Sequence, residues 1–514
     1  MNFRLVIHLI SWLVSLEGLA VCSSSAAGAV MGDPPEKLLP LLSCGLITFV
    51  IGLAGALMTK KQENDRNPGL REGFAAVTLG WLVTSVFGAA PFAAVTGLKW
   101  YEALFETISG FTTTGSTVID DQLVLWNGTR LKDGIESLSK GILFWRSLTH
   151  WIGGMGIVFF SLAILPVLGG SGQVLYNAEV PGVKTRTDQL TPRIASTAKI
   201  LCLVYVGLTL VETLMLYFGG MSFFDAVCHS FGTISTGGFS TKNDSIAYYQ
   251  GSYIQLVIII FMFLAGCNFI LHFRLLTGLP LKDYLNEEFR VYFLTILFST
   301  LLIGIYLLCS NITDPLSGLN YHGSPKNSFL AAAFQVVSIS TSTGFATGNF
   351  VVWPPVTGVV LFCLMLMGGC GGSTAGGIKC MRVILLFKFA WSELRRNIFP
   401  HAVPNLRLNG ERLPGPLVNR VLGFLLIYVM IWLLFAFLLT LVCPPGGKMN
   451  LVTALTGSLS AISNIGPAFG SLPPDKTFSW LPPAAKLLLA LEMLIGRLEL
   501  YSVLIIFLPS FWKK

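Results

Sequence analysis

Charge is what this sequence lacks. Asp, Glu, Lys and Arg together make up 12% of its 514 residues, against roughly 25% in an ordinary soluble domain. A chain that is 53% hydrophobic and so poor in charge has no means of covering itself with a hydrated surface, so a soluble globular protein is excluded. Paired cysteines are missing as well. The ten cysteines are scattered, mostly inside apolar runs, and their spacing supplies neither a disulfide framework nor a metal site. There is no Ser/His/Asp set and no pair of catalytic acids at a convincing spacing. "GGCGGSTAGG" lacks the lysine and the Ser/Thr order of a nucleotide-binding phosphate loop. The chain is therefore not expected to be an enzyme.

Apolar length is what is present. Ten segments stand out, most of them near the roughly 20 residues that cross about 30 Å of hydrocarbon. They are Leu5–Val21, Leu38–Met58, Phe74–Val95, Gly141–Leu168, Ile200–Phe218, Ile254–Leu276, Val291–Cys309, Val356–Gly369, Val418–Val442 and Ala485–Phe511. An even number of crossings places both termini on one side. Every second connector is basic: Lys60, Lys61, Arg66 and Arg71; Lys184, Arg186, Arg193 and Lys199; Arg274, Lys282 and Arg290; Lys388, Arg395, Arg396, Arg407 and Arg412. Positive short loops stay cytoplasmic, so both ends are expected in the cytoplasm, and Arg4, Lys513 and Lys514 agree. The net charge of +8 thus reflects topology and gives little support to a nucleic-acid partner. The opening "MNFRLVIHLISWLVSLEGLAVC" also fits a signal peptide, but Leu38–Met58 supplies a hairpin partner and favours a retained helix.

Internal repetition gives the polar stretches their meaning. Four segments align: "FETISGFTTTGST" (Phe105–Thr117), "FGTISTGGFST" (Phe231–Thr241), "FQVVSISTSTGFAT" (Phe334–Thr347) and "GSLSAISNIGPAFG" (Gly457–Gly470). Each couples a short apolar stretch to a Ser/Thr/Asn-rich turn and one glycine, namely Gly115, Gly238, Gly344 and Gly466. These glycines fall 123, 106 and 122 residues apart. The short segments cannot span a bilayer and must enter and return. Irregular backbone at that depth is tolerated only where protein encloses it or where it borders a water-filled cavity. Four such loops around one axis would line a pore. A dehydrated alkali cation needs carbonyl oxygens in place of its hydration shell. Glycine permits the dihedrals that turn successive carbonyls to one axis. The negative end of each short helix would face the cation, with Glu102 and Asp225 at the opposite, positive ends of two of them. The neighbouring Ser and Thr hydroxyls would brace the strand. The fold class expected is an all-α membrane protein: four pseudo-repeated helix, pore-helix, filter-loop and helix units around one pore, plus an N-terminal hairpin. The divisions are 1–68 for the hairpin, then 69–180, 181–285, 286–400 and 401–514 for the four units.

With these motifs in order, and with "GGCGGSTAGGIK" besides, the chain resembles the membrane subunit of Trk-type bacterial potassium uptake systems. That subunit is the TrkH/TrkG branch of a superfamily that includes KtrB and plant HKT transporters. The resemblance covers nearly the whole chain, including the amino-terminal hairpin. It implies one pore per subunit and K⁺ held by carbonyls of Thr113, Thr114, Thr236, Gly237, Ser342, Thr343, Asn464 and Ile465. One filter glycine per loop, where a strict K⁺ channel has two, implies weaker discrimination, and glycine rather than serine at position 115 implies K⁺ over Na⁺. It further implies a homodimer in a bacterial inner membrane, docked on a cytoplasmic TrkA-type regulator. That regulator, and not this chain, would bind nucleotide. K⁺ as the transported ion is the only cofactor expected. A symporter coupling K⁺ to H⁺ or Na⁺ through broken helices is the alternative mechanism.

"LMGGCGGSTAGGIKC" (Leu366–Cys380) interrupts a crossing with six glycines, each costing a helix about 1 kcal/mol relative to alanine. Close helix packing through small residues is one reading. The resemblance implies another, an intramembrane gate formed by Gly368, Gly369, Gly371, Gly372, Ser373, Thr374, Gly376 and Gly377, with Lys379 at its end either in contact with the gate or snorkelling to the interface. Arg497 lies within the last crossing and needs an acid, carbonyls or water. Glu492 and Glu499 are not at helical-neighbour spacing, so its partner is expected on another helix or on the gate. The resemblance places it in the cavity below the filter. His150, His229 and His272 read as packing or hydrogen-bonding residues.

Overall fold

The computed structural model describes residues 1–59, 69–164, 190–278, 280, 284–399, 406–409, 411–413 and 415–512. Outside them lie Lys60, Lys61, Arg66, Lys184, Arg186, Lys282, Lys513 and Lys514, the end of the fourth expected crossing, and the expected unit divisions at 180/181 and 400/401. Two long helices open the chain, α1 (Phe3–Val30) and α2 (Pro35–Met58). Asn2 caps the first through its side-chain oxygen, and Pro35 stands in the first turn of the second, where a missing N–H costs nothing. The pair packs backbone to backbone. A methyl at Gly18 would strike the Phe49 nitrogen and one at Gly52 the Ser15 nitrogen, the small-residue contact that lets apolar helices approach closely.

The rest of the chain repeats one plan four times: a long helix, a short helix, a loop and a returning helix. The first set is α3 (Leu70–Thr96), α4 (Trp100–Phe111) and α5 (Lys140–Ile164). The second is α6 (Leu190–Phe218), α7 (Phe223–Ile234), α8 (Ser252–Ala265) and α9 (Phe269–Leu276). The third is α10 (Glu287–Cys309), α11 (Pro325–Ser340), α12 (Pro355–Met367) and α13 (Cys380–Ile398). The fourth is α14 (Gly415–Val442), α15 (Leu451–Ile462), α16 (Pro483–Arg497) and α17 (Tyr501–Leu504), with α18 (Pro509–Trp512) closing the chain. A two-stranded antiparallel ribbon, β1 (Arg407–Leu408) with β2 (Glu411–Arg412), precedes the fourth set. The fold is all-α and membrane-spanning, as expected.

The packing is turned outward relative to a soluble protein. On α10, Leu294, Phe298, Leu301 and Ile305 form an exposed stripe, while Tyr292, Ile296, Ser299 and Ile303 are buried. Polar Thr112, Thr113 and Thr114 are fully covered. Such a surface suits lipid rather than water.

Not every crossing is a straight span. Six described helices are long and apolar enough to cross a membrane, and the bent pair α8 and α9 makes a seventh. That pair was expected as one run from Ile254 to Leu276, yet it turns by 99° across Gly266–Asn268. The eighth expected crossing ends at Met367, and the tenth breaks after Arg497, where Glu499 and Leu500 take positive φ of 54° and 35°. Breaks in the second, third and fourth returning helices thus sit where polar backbone faces the protein interior. Replacement of Gly52 by alanine should lower the thermal stability of detergent-solubilised protein by about 1–3 kcal/mol through overpacking. Gly73→Ala, with open space around the added carbon, should be neutral or slightly stabilising in the same melt.

Candidate functional site

Each short helix ends in the same way. The N–H groups of Thr114, Gly237, Thr343 and Ile465 reach back to the carbonyls of Ser109, Gly232, Ser338 and Ser460 at 2.8–2.9 Å, and those of Thr113, Thr236, Ser342 and Asn464 to Gly110, Thr233, Ile339 and Ala461 at 3.0–3.1 Å. This is the double bond of a Schellman cap. Its turning residue is usually glycine, but here it is Thr113, Thr236, Ser342 and Asn464, with φ of 50°, 56°, 55° and 54°. Two positions on, Gly115, Gly238, Gly344 and Gly466 turn again with φ of 81°, 81°, 80° and 102°. A left-handed residue at every second position re-aims successive peptide groups along the strand. For the three hydroxyl residues that conformation costs on the order of 1–2 kcal/mol each, a strain that persists only where surroundings enforce it.

The four loops meet in cyclic order. A carbon added at Gly115 would collide with the Gly237 carbonyl oxygen, at Gly238 with that of Thr343, at Gly344 with that of Ile465, and at Gly466 with that of Thr114 at 2.7 Å. Each glycine therefore lies against the carbonyl that precedes the next glycine, and the fourth contact closes on the first. The eight candidate carbonyl residues are all buried, and a His150 ring covers Gly237 on one side. Hydroxyls brace the strands: Thr112 with Thr114 at 2.9 Å and Thr341 with Thr343 at 2.8 Å. Asn464 ties the fourth strand to the first by donating to Thr114 Oγ1 at 3.0 Å.

Residues expected at the other ends of the short helices are there. Glu102 and Asp225 occupy the first turns of α4 and α7, where a carboxylate offsets the unpaired N–H groups. Glu102 also holds Lys486 at 3.1 Å in a buried ion pair, a partner that no local spacing announces. The histidines are hydrogen-bonding residues. His150 bonds the Gly110 carbonyl at 2.7 Å, His229 the Asp225 carbonyl at 2.7 Å, and His272 the Leu264 carbonyl at 2.9 Å.

The glycine-rich loop between α12 and α13 lies against the C-terminal ends of the short helices. Thr374 donates to the Ile234 carbonyl at 3.0 Å, and the Gly376 N–H donates to Ser342 Oγ at 2.5 Å. A methyl at Gly376 would meet the Ser463 carbonyl, and Gly368, Gly372 and Gly377 take φ of 68°, 70° and 76°. Gly369, Gly371 and Ser373 are buried in the same loop. Lys379, with φ of 77°, turns its ammonium back onto the loop, donating to the Ala375 carbonyl. Arg497 is buried and donates to the Thr374 carbonyl at 2.8 Å, while its Nε and Nη2 have no hydrogen-bond partner among the described residues. Arg497 borders a cavity of about 30 Å³ shared with Asn464, Lys379, Arg382 and Glu499. Glu499 is paired with Arg382 at 2.7 Å.

Two residues that hold this loop escaped the sequence reading. Glu288, buried at the start of α10, accepts from the Gly371 N–H at 2.8 Å and the Met381 N–H at 3.2 Å, so one carboxylate oxygen grips both flanks of the loop. Asn268, at the break between α8 and α9, lies against Gly372, whose carbonyl accepts from Phe269 N at 3.2 Å. A buried acid in the first turn of an apolar helix was the available signal.

The chain matches the family described as TrkH, Cation transport protein, over residues 44–514. It is 36% identical over 521 residues to the Trk system potassium uptake protein TrkH of Escherichia coli strain K12, with 100% of each chain covered. It is 31% identical over 515 residues to the Trk system potassium uptake protein TrkG of the same strain, covering 100% of this chain and 99% of that one. The crystal structure of the potassium transporter TrkH from Vibrio parahaemolyticus superposes with a TM-score of 0.85 at 31% identity, covering 100% of both chains. Gly238→Ala should cost about 1–3 kcal/mol in a thermal melt, because alanine would need a left-handed φ and would press on the Thr343 carbonyl. Thr236→Gly, which relieves a left-handed threonine, should not.

Proposed function

Because this chain belongs to the TrkH family of cation transport proteins, we propose that it takes up K⁺ across a bacterial inner membrane, through a filter built from the four loops. What supports the reading most is the cyclic contact of Gly115, Gly238, Gly344 and Gly466 with the carbonyls of Gly237, Thr343, Ile465 and Thr114. Four strands that pass one contact around a closed ring share an axis. Carbonyls of Thr113, Thr114, Thr236, Gly237, Ser342, Thr343, Asn464 and Ile465 then replace the water of a K⁺ ion passing in single file. The C-terminal ends of α4, α7, α11 and α15 lead directly into these strands and add negative potential.

Below the strands, the loop Gly368–Gly377 closes the path. Its bonds to Ser342 and to the Ile234 carbonyl are few and break together when it moves. Arg497 holds the loop through the Thr374 carbonyl and sets a fixed positive charge beside the route of a cation. Opening requires the loop and the guanidinium to shift. Both termini are cytoplasmic, two chains pair, and a nucleotide-binding regulator of the TrkA type docks on the basic connectors and drives that shift. Transport, with no bond-making chemistry, is the activity.

The test is ion uptake by cells stripped of their own K⁺ uptake systems and expressing this chain. Gly115→Ser should admit more Na⁺ relative to K⁺, because the added atoms press on the Gly237 carbonyl and distort the ring. A ratio equal to that of the unaltered protein would take Gly115 out of the filter. Arg497→Ala should raise flux by about tenfold or more, since a unit charge a few ångströms from a cation is worth on the order of a few kcal/mol even in a partly solvated interior. Flux and regulation both unaltered would leave Arg497 a structural residue.

A further inference from the structure

Beyond Gly115, Gly238 and Gly344 the strands continue outward, and in these three the carbonyl two residues on is held by the preceding unit. Thr117 O accepts from the Phe478 N–H at 2.8 Å, across the seam between the fourth set and the first. Ala346 O accepts from the Ile246 and Ala247 N–H groups, both at 3.1 Å, across the seam between the second and the third. Ser240 O occupies the equivalent place in the second strand, and there the donor is a side chain: Arg146 Nη1, from α5 of the first set, at 2.9 Å. A guanidinium stands where its neighbours use main chain.

The geometry around that guanidinium is fully specified. Arg146 Nε donates to Glu106 Oε1 at 2.7 Å, and both side chains are buried, 2% and 0% exposed. The Glu106 carboxylate also accepts from Thr117 Oγ1 at 2.9 Å and from the Val118 N–H at 3.1 Å. Phe239, the residue after the second glycine, lies flat under the cation with its ring centre 3.5 Å from the guanidinium carbon. Its other neighbour is the His150 ring at 4.0 Å. One ion pair therefore grips the first strand at Thr117 and Val118 and the second at Phe239 and Ser240. A buried pair of this kind is weak evidence for stability, but it is rigid, because a planar fork fixes two acceptors at once.

We infer that Arg146, aligned by Glu106, is a specificity-determining positioning residue that sets the spacing between the first and second strands at the outer end of the filter. The inference rests on the reading of the four loops as a cation filter. Arginine suits the task and lysine does not: lysine keeps a positive charge for Glu106, yet its single ammonium cannot hold Glu106 and Ser240 O in the same fixed geometry.

Arg146→Lys, measured for K⁺ and Na⁺ uptake in cells lacking their own K⁺ uptake systems, should lower the K⁺ to Na⁺ ratio by about tenfold, the weight of one hydrogen bond to a charged group. The amount of folded protein in the membrane is measured in parallel. An unchanged ratio at an undiminished amount overturns the inference. If Arg146→Lys fails to fold, Phe239→Leu keeps the ion pair and removes the ring beneath it. That variant should shift the ratio in the same direction by less, and an unchanged ratio there overturns the inference equally. Gly115→Ser serves as the reference: a shift in it without one in Arg146→Lys disproves only the seam assignment, while no shift in either disproves the filter itself.

Discussion

Peptide groups inside a bilayer have no water to bond to, and this constraint governs the whole molecule. A straight helix satisfies them internally, which is why most of the chain is helix. Wherever the chain leaves the helix at depth, something must enclose it. The four loops enclose one another, each strand lying against the next, and the glycine-rich loop is enclosed by α10, by the bend between α8 and α9 and by the ends of the short helices. Among the described residues, these enclosed loops therefore lie together. The same unpaired oxygens that would be a liability facing lipid become, on the proposed reading, the coordinating groups for an ion.

That economy bears on two of the left-handed turns, Ser342 and Asn464. A Schellman cap with glycine would be less strained, yet three of the four caps carry hydroxyls at the turning position. Ser342 puts its hydroxyl to use, accepting from the Gly376 N–H, and Thr236 bonds the carbonyl just before it at 2.6 Å. In the fourth strand Asn464 spans to Thr114 and to the Met493 carbonyl at 3.0 Å each. A glycine at 342 or 464 would remove these bonds between segments. At these two positions the strain is local, and the bonds it permits hold separate segments together.

Much of this was legible in the sequence for a physical reason. Apolar length and the spacing of the four polar turns follow from bilayer thickness and from the dihedrals of glycine, both of which act locally. The four strand glycines, the glycines of the loop between α12 and α13, and the spacing that keeps Glu492 and Glu499 from being helical neighbours of Arg497 could be read from neighbours in the chain. The partners that hold the site could not. Glu288 reaches a loop 83 residues away, and Glu106 reaches Arg146 over 40. The break after Ala265 was missed because a single Gly-Cys-Asn step carries too little glycine to disrupt an apolar pattern, whereas the six glycines of the third set could not be overlooked. The left-handed turns at Thr113, Thr236 and Ser342 were missed because residue preference argues against them and only tertiary enclosure overrides it.

All four quarters of the ring are written in one polypeptide. In an assembly of four identical subunits, a codon change at one corner is imposed on every corner, and a slightly harmful atom is multiplied fourfold. Here a guanidinium can replace an amide at a single seam, an asparagine can stand where hydroxyls stand elsewhere, and the other three corners keep their own chemistry. Such a lineage can retune an ion route one quadrant at a time, by steps small enough for a cell to survive each of them.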